Sequence, residues 1–237
     1  MRSLVARFAS SRYASCYLSR FQALGTMATV EGEPRAVMIP IADGTEEIEA
    51  IAIADVLTRG GMKVTLGSVG RKLQNIVTMS QGTKVQGDLA IEACTDLSFD
   101  LILCPGVSNF CSASTALQDV GIDVAHGPGA QHLHDSSELI AMLQKQRHQG
   151  RYYGGICAAP AVILLPHGLM DSGPATTYPS YESKMGGVDY RPNERVVVNG
   201  KCITSQGPGT AIEMGLKLVE LLCSPEKAKS VAQALVV

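Results

Sequence analysis

The sequence predicts an α/β sandwich with a largely parallel central sheet. From Pro34 onward, short β-rich runs alternate with amphipathic stretches of helical period. The central runs are almost continuously apolar, as strands covered on both faces are, and Gly, Pro and Asn close them. With 237 residues, 46% hydrophobic and 18% charged, the chain can bury a full core, and residues 34–237 read as one domain.

AVMIPI is the first strand and TEEIEAIAIADVLTRGG the first helix, starting near Thr45 with Asp43 and Glu46 spaced as a capping box. KVTLGSV returns as a parallel strand through a right-handed crossover. NIVTMSQGTKVQG carries turn residues at its centre and suits a hairpin. DLILCPG is an apolar central strand stopped by Pro-Gly. DSSELIAMLQKQRHQG is a helix with Asp135 or Ser136 as N-cap and Gly150 as stop. YYGGI is a strand, AAPAVILL a helix and PATTYP a short strand. Asn199-Gly200 turns a hairpin inside RVVVNGKCITS. Two helices, in GTAIEMGLKLVELLC and SPEKAKSVAQALV, complete the domain.

Two segments stand outside this alternation. Residues 1–33 hold Arg2, Arg7, Arg12 and Arg20, no acid before Glu31 and no long apolar run. That is the composition of a mitochondrial or plastid transit peptide. An untargeted extension is the other reading, and a start at Met27 would give a cytoplasmic form. Residues 107–126, VSNFCSASTALQDVGIDVAH, make a long interruption between a strand and a helix, read either as a lid or as translated intron sequence.

The net charge is −2; without those four arginines, 16 Lys and Arg face 22 Asp and Glu. Phosphate-rich partners need a basic face, so nucleic-acid binding is not expected, and small molecules are. No apolar window of about 20 residues is free of charge, Gly or Pro, so no membrane helix is expected. Seven cysteines form no regular framework and read as free thiols in a reducing compartment.

Cys157 ends the strand YYGGI and precedes a helix whose Pro160 suits its first turn. Such a corner lies above the carboxyl ends of the strands, where open α/β sheets bind ligands, and a helix N-terminus there stabilises a thiolate. Position alone therefore predicts an accessible thiol of lowered pKa; the other reading is a small buried apolar residue. Glu49 lies one turn before Ile53 and two before Val56, on the core-facing stripe. There it would lose solvation, rise in pKa and hold a proton for a nearby thiolate, unless it reaches water at the edge of the stripe. Glu46 and Glu47 read as solvated first-turn residues. His132 and His134, with Cys111 or His126, fit no standard zinc spacing.

IADGTEEIEAIAIADVL, DLILCPG, PGAQHL, GGICAAPAVIL, ATTYPSYESKM and ITSQGPGTAIE, in that order, resemble the ThiJ/PfpI superfamily, and within it the parkinsonism-associated deglycase (DJ-one) branch. The resemblance implies a flavodoxin-like three-layer sandwich, a homodimer, Cys157 as nucleophile and Glu49 as its acid, with no cofactor and no metal. It also implies backbone oxyanion donors at Ala158 and Gly106. Many relatives have a histidine where this chain has Tyr178, which leaves Glu49 as the proton carrier and Tyr178 as a donor to substrate or a packed aromatic. Gln206 stands where an arginine is frequent, leaving Arg59 as the contact for an oxidised cysteine. The activity implied is glutathione-independent conversion of methylglyoxal or glyoxal, or of their early adducts on glycated proteins. The alternative is a cysteine-based oxidative-stress sensor or redox-regulated chaperone; a cysteine peptidase ranks last, since no histidine follows the elbow in a matching motif.

Overall fold

The computed structural model describes residues 33–70, 73–106 and 129–237. The predicted transit segment, apart from its last residue, and the interruption at 107–126 lie outside them. Strand β1 (Ala36–Ile41) is followed by helix α1 (Glu47–Arg59) and by β2 (Lys63–Ser68), parallel to β1. The ribbon β3 (Ile76–Thr78) and β4 (Lys84–Gln86) is the expected hairpin. Next come β5 (Leu89–Ala90), the short helix α2 (Ile91–Cys94), β6 (Leu101–Cys104), α3 (Gly129–His134) and α4 (Ser137–His148). The chain continues through β7 (Tyr152–Ile156), β8 (Pro174–Ala175), β9 (Asp189–Tyr190), β10 (Val196–Asn199) and β11 (Cys202–Ser205), and closes with α5 (Ala211–Leu222) and α6 (Pro225–Leu235).

Seven strands form one sheet in the order β10-β11-β7-β6-β1-β2-β5, parallel except for β10. Alternation along each strand divides the core into two layers. Val37, Ile39 and Ile41 with Leu101 and Leu103 pack under α1 and α5, against Ile53, Val56 and Leu218. Met38, Ile102 and Cys104 point the other way, toward Leu133, Leu139 and Leu143 of α3 and α4. This is the flavodoxin-like three-layer arrangement. Gly154 permits the close pairing of β7 and β11: a Cβ there would lie 2.0 Å from the Ile203 carbonyl oxygen.

The chain runs outward from β1 to β2 and β5, then returns to β6 on the other side of β1. The direction of winding therefore reverses between β1 and β6, and the crevice at the carboxyl ends of those strands is where such sheets place ligands. The chain leaves β1, β6 and β7 at that edge of the sheet.

Three local predictions are corrected. Helix α1 begins at Glu47 and is capped by Glu46, whose carboxylate accepts from Glu49 N–H at 2.8 Å. Asp43, the expected cap, instead accepts from Thr78 N–H of the hairpin at 2.9 Å. AAPAVILL forms one wide π turn over Pro160–Leu164, closed by Leu165 N–H on the Pro160 carbonyl at 2.9 Å. PATTYP contributes only the two residues of β8, which pair with β9 in a separate small sheet.

Candidate active site

Cys157 is the residue after β7, and its backbone bends sharply, with φ 63°. A left-handed conformation is unfavourable for any side chain bearing a Cβ, so the surroundings must hold it. They do so with three bonds. Cys157 N–H donates to the Ser205 carbonyl at 3.0 Å, and its own carbonyl accepts from Tyr178 N–H at 2.8 Å and Thr177 Oγ1 at 2.7 Å. The turn points the thiol back toward β6 and α1.

Glu49 arrives from the first turn of α1 and is fully buried. Its Oε2 accepts from Gly106 N–H at 2.7 Å. Gly106, just after β6, sits where no side chain fits: a Cβ would meet Cys157 Cβ at 2.6 Å and the Ile156 carbonyl oxygen at 2.7 Å. The second oxygen, Oε1, is buried without a well-angled hydrogen bond. The carboxyl and the thiol are nevertheless close enough for each to perturb the other's ionisation. Burial, opposed by the Gly106 bond and reinforced by the Glu46 charge, raises the Glu49 carboxyl to about 8.

Cys157 is 1% exposed, and its thiol titrates above its ordinary value. Desolvation is the chief cause and the neighbouring Glu49 charge the next, while Ala158 N–H, turned toward the sulfur, favours the anion. This corrects the expectation of an accessible thiol of lowered pKa. The helix end offers one useful amide, and its effect is smaller than that of burial beside an acid. The chemical unit is thus the pair: burial holds a proton on each group, a charge on one opposes a charge on the other, and both cannot ionise cheaply together.

Other predicted site residues are placed differently. Gly106 N–H is engaged by Glu49 and is not offered to an oxyanion in this state. Ala158 N–H remains directed at the sulfur. Tyr178 fixes Cys157 through its backbone, and its ring lies against Gly207. Arg59 is ten residues along α1 from Glu49, about 15 Å at helical rise, where it pairs with Asp55 at 2.7 Å. Within one chain it is no contact for the cysteine. Gln206 Nε2 donates to the Pro192 carbonyl at 2.6 Å.

Glu46, expected in solvent, is only 4% exposed. Its backbone N–H donates to the Gly106 carbonyl at 3.2 Å, and desolvation raises its pKa. The signal for it was its spacing, since a residue three before Glu49 shares its side of the helix. Glu47 turns away to Ser80 Oγ at 2.8 Å and Gln81 N–H at 3.0 Å. His132 Nδ1 lies 3.1 Å from the Asp43 carbonyl, whereas the His134 ring faces His167 at 4.4 Å between centroids. Among the described residues no cluster of three or more His, Cys, Asp or Glu could hold a metal, and no helix is long and apolar enough to cross a membrane.

A parallel sandwich with a cysteine in a left-handed elbow and a buried acid from the first helix defines a cysteine-elbow α/β protein. The chain belongs to the DJ-1/PfpI family, whose profile matches residues 35–121 and 124–221. It is 36% identical over 207 residues to Protein DJ-1 homolog B of Arabidopsis thaliana, covering 87% of this chain and 42% of that one. It is 33% identical to the glutathione-independent glyoxalase DJR-1.2 of Caenorhabditis elegans, over 84% of this chain and 94% of that protein. The fold superposes on oxidised Toxoplasma gondii DJ-1 with a TM-score of 0.74 at 38% identity, covering 85% and 98% of the two chains. The chain spans less than half the length of the two Arabidopsis relatives, 42% and 46%.

Proposed function

We propose that this protein converts small dicarbonyls such as methylglyoxal and glyoxal to 2-hydroxy acids without glutathione, with Cys157 as nucleophile and Glu49 as proton carrier. The observation that carries the reading is the buried pair, in which Glu49 retains a proton near neutral pH. The name of the Caenorhabditis relative supports the same class of reaction.

In the reactive state Glu49 is neutral and Cys157 a thiolate. The sulfur attacks the aldehyde carbon, and the Glu49 proton passes to the oxygen, giving a hemithioacetal. The Glu49 carboxylate then takes the proton from C1 to form an enediol and returns it at C2, leaving a thioester of the 2-hydroxy acid. Water cleaves the thioester and restores the thiol, so one water is consumed and no electrons leave the substrate. Ala158 N–H, beside the sulfur, is the backbone donor available to the developing oxyanion. On early adducts of glycated proteins, which are hemiaminals, the thiolate would displace the amine from the same carbon: the C–S bond forms, the C–N bond breaks, the Glu49 proton goes to the departing amine, and the same hemithioacetal follows. The working unit in this proposal is a homodimer, checked by light scattering.

Purified protein incubated with methylglyoxal and no glutathione should form lactate, and Cys157→Ala should not. Absence of product, or equal product from the variant, overturns the proposal.

A second reading has a specific support, because the related Toxoplasma structure is of an oxidised form. Two molecules of peroxide would convert the Cys157 thiol to a sulfinate, releasing two of water, and neutral Glu49 would donate to a sulfinate oxygen. Intact mass after mild peroxide decides it: no two-oxygen addition at Cys157 removes the sensor reading.

A further inference from the structure

The glutamate that caps α1 makes more contacts with the site than capping needs. Its carboxylate accepts from Glu49 N–H at 2.8 Å, its own N–H donates to the Gly106 carbonyl at 3.2 Å, and Gly106 N–H donates to Glu49 Oε2 at 2.7 Å. These three bonds form a closed ring, and Gly106 lies so near Cys157 that a Cβ on it would fall 2.6 Å from Cys157 Cβ. One residue, Glu46, thus fixes the backbone of the acid and the backbone that holds the acid's oxygen. It does so from a position only 4% exposed, where a serine or aspartate would satisfy the helix end.

We propose that Glu46 is a positioning residue that tunes the pair: it locks Glu49 against Gly106 and, by its buried charge, opposes a second negative charge on either Glu49 or Cys157. This rests on the proposed reaction only in its catalytic consequence; the tuning itself is a property of the thiol. The ionisable groups acting on Glu49 are Glu46 from its own turn and Cys157 from the β7 corner. Glu47 on the same turn is directed to Ser80 and Gln81, and Gly106 from the β6 side brings only its amide. The Glu46 charge opposes ionisation of both Glu49 and Cys157, and burial strengthens its effect because little water screens it.

The test compares Glu46→Gln, which keeps length and an acceptor but loses the charge, with Glu46→Asp, which keeps the charge and is a preferred capping residue. The readout is the rate of Cys157 alkylation by iodoacetamide against pH, with lactate formation against pH beside it. Glu46→Gln should move the alkylation midpoint toward acid by about half a unit or more, as removal of a near charge does, and the lactate profile should follow. Glu46→Asp should keep the wild-type midpoint. A Glu46→Gln profile that keeps its midpoint, whether or not the rate falls, overturns the proposal, as does an equal displacement in both variants. If the wild type makes no lactate, the reaction is wrong, and the alkylation midpoints still decide the role of Glu46.

Discussion

Replacing Glu49 by glutamine separates protonation from shape. Glutamine has the outline of the neutral acid and can still accept from Gly106 N–H, but it cannot ionise. In the fold the Glu49 carboxyl titrates at about 8 against an ordinary 4.5, which is a preference of about 5 kcal/mol for the neutral form. Between those values the native chain binds one more proton than the unfolded chain, so stability falls by about 1.4 kcal/mol for each pH unit gained. Because the folded pKa is raised, the stabilisation is complete below 4.5 and lost as pH rises through about 8. Glu49→Gln lacks this slope. Urea unfolding at about pH 5 and about pH 8.5 should show a variant close to wild type in acid and more stable in base by several kcal/mol, with about 5 as the ceiling. Groups other than its neighbours Cys157 and Glu46 titrate alike in both proteins, so the difference reports this carboxyl and the pair it forms. A stability difference that does not change with pH would refute the placement of a neutral acid beside Cys157.

Cys157→Gly should be at least as stable as Cys157→Ala in urea, reversing the usual order by about 1 kcal/mol, because only glycine accepts a positive φ without strain; the ordinary order would show that the elbow relaxes. Gly106→Ala forces a methyl to 2.6 Å from Cys157 Cβ, so it should destabilise by about 1–3 kcal/mol and displace the Glu49 oxygen. Urea midpoints and the alkylation profile check this, and an unchanged profile contradicts it. Ser136→Ala removes the acceptor for Leu139 N–H at 3.2 Å and should cost about 1 kcal/mol, read by thermal unfolding with the alkylation profile unaltered.

The central strands, the two hairpins and the inward placement of Glu49 were legible because each is written in local pattern, whereas the two-residue strands β5 and β9 were not. An apolar run ending in Pro-Gly before residue 107 can hardly be other than a buried strand, and Ile53 and Val56 already place Glu49 inward. What escaped depends on partners distant in the sequence. Asp43 looked like the cap of α1 until the hairpin, 35 positions later, claimed its carboxylate through Thr78. For Arg59 the sequence did hold the signal, since Asp55 four residues before it is its ion-pair partner and ten residues of helix separate it from Glu49. The titration of Cys157 could not follow from its corner alone, because burial and the Glu49 charge, which raise it, come from packing. The π turn after the elbow replaces a longer helix because the Pro160 carbonyl is taken by Leu165 five residues on.

The bonds from the β3–β4 ribbon to the start of α1 have a consequence for the order of assembly. Thr78 holds Asp43, and Ser80 N–H donates to the Thr45 carbonyl at 2.9 Å, so the approach to the acid is set by residues synthesised some thirty positions later. Gly106 then anchors the acid's oxygen, and the cysteine follows another fifty residues on. A nascent chain therefore carries an unanchored glutamate until β6 has docked and an unpaired one until β7 has docked. The reactive sulfur is the last of the three to be made, and Thr177, Tyr178 and Ser205, which hold its elbow, are made later still, so the thiol is fixed only when β11 has docked beside β7.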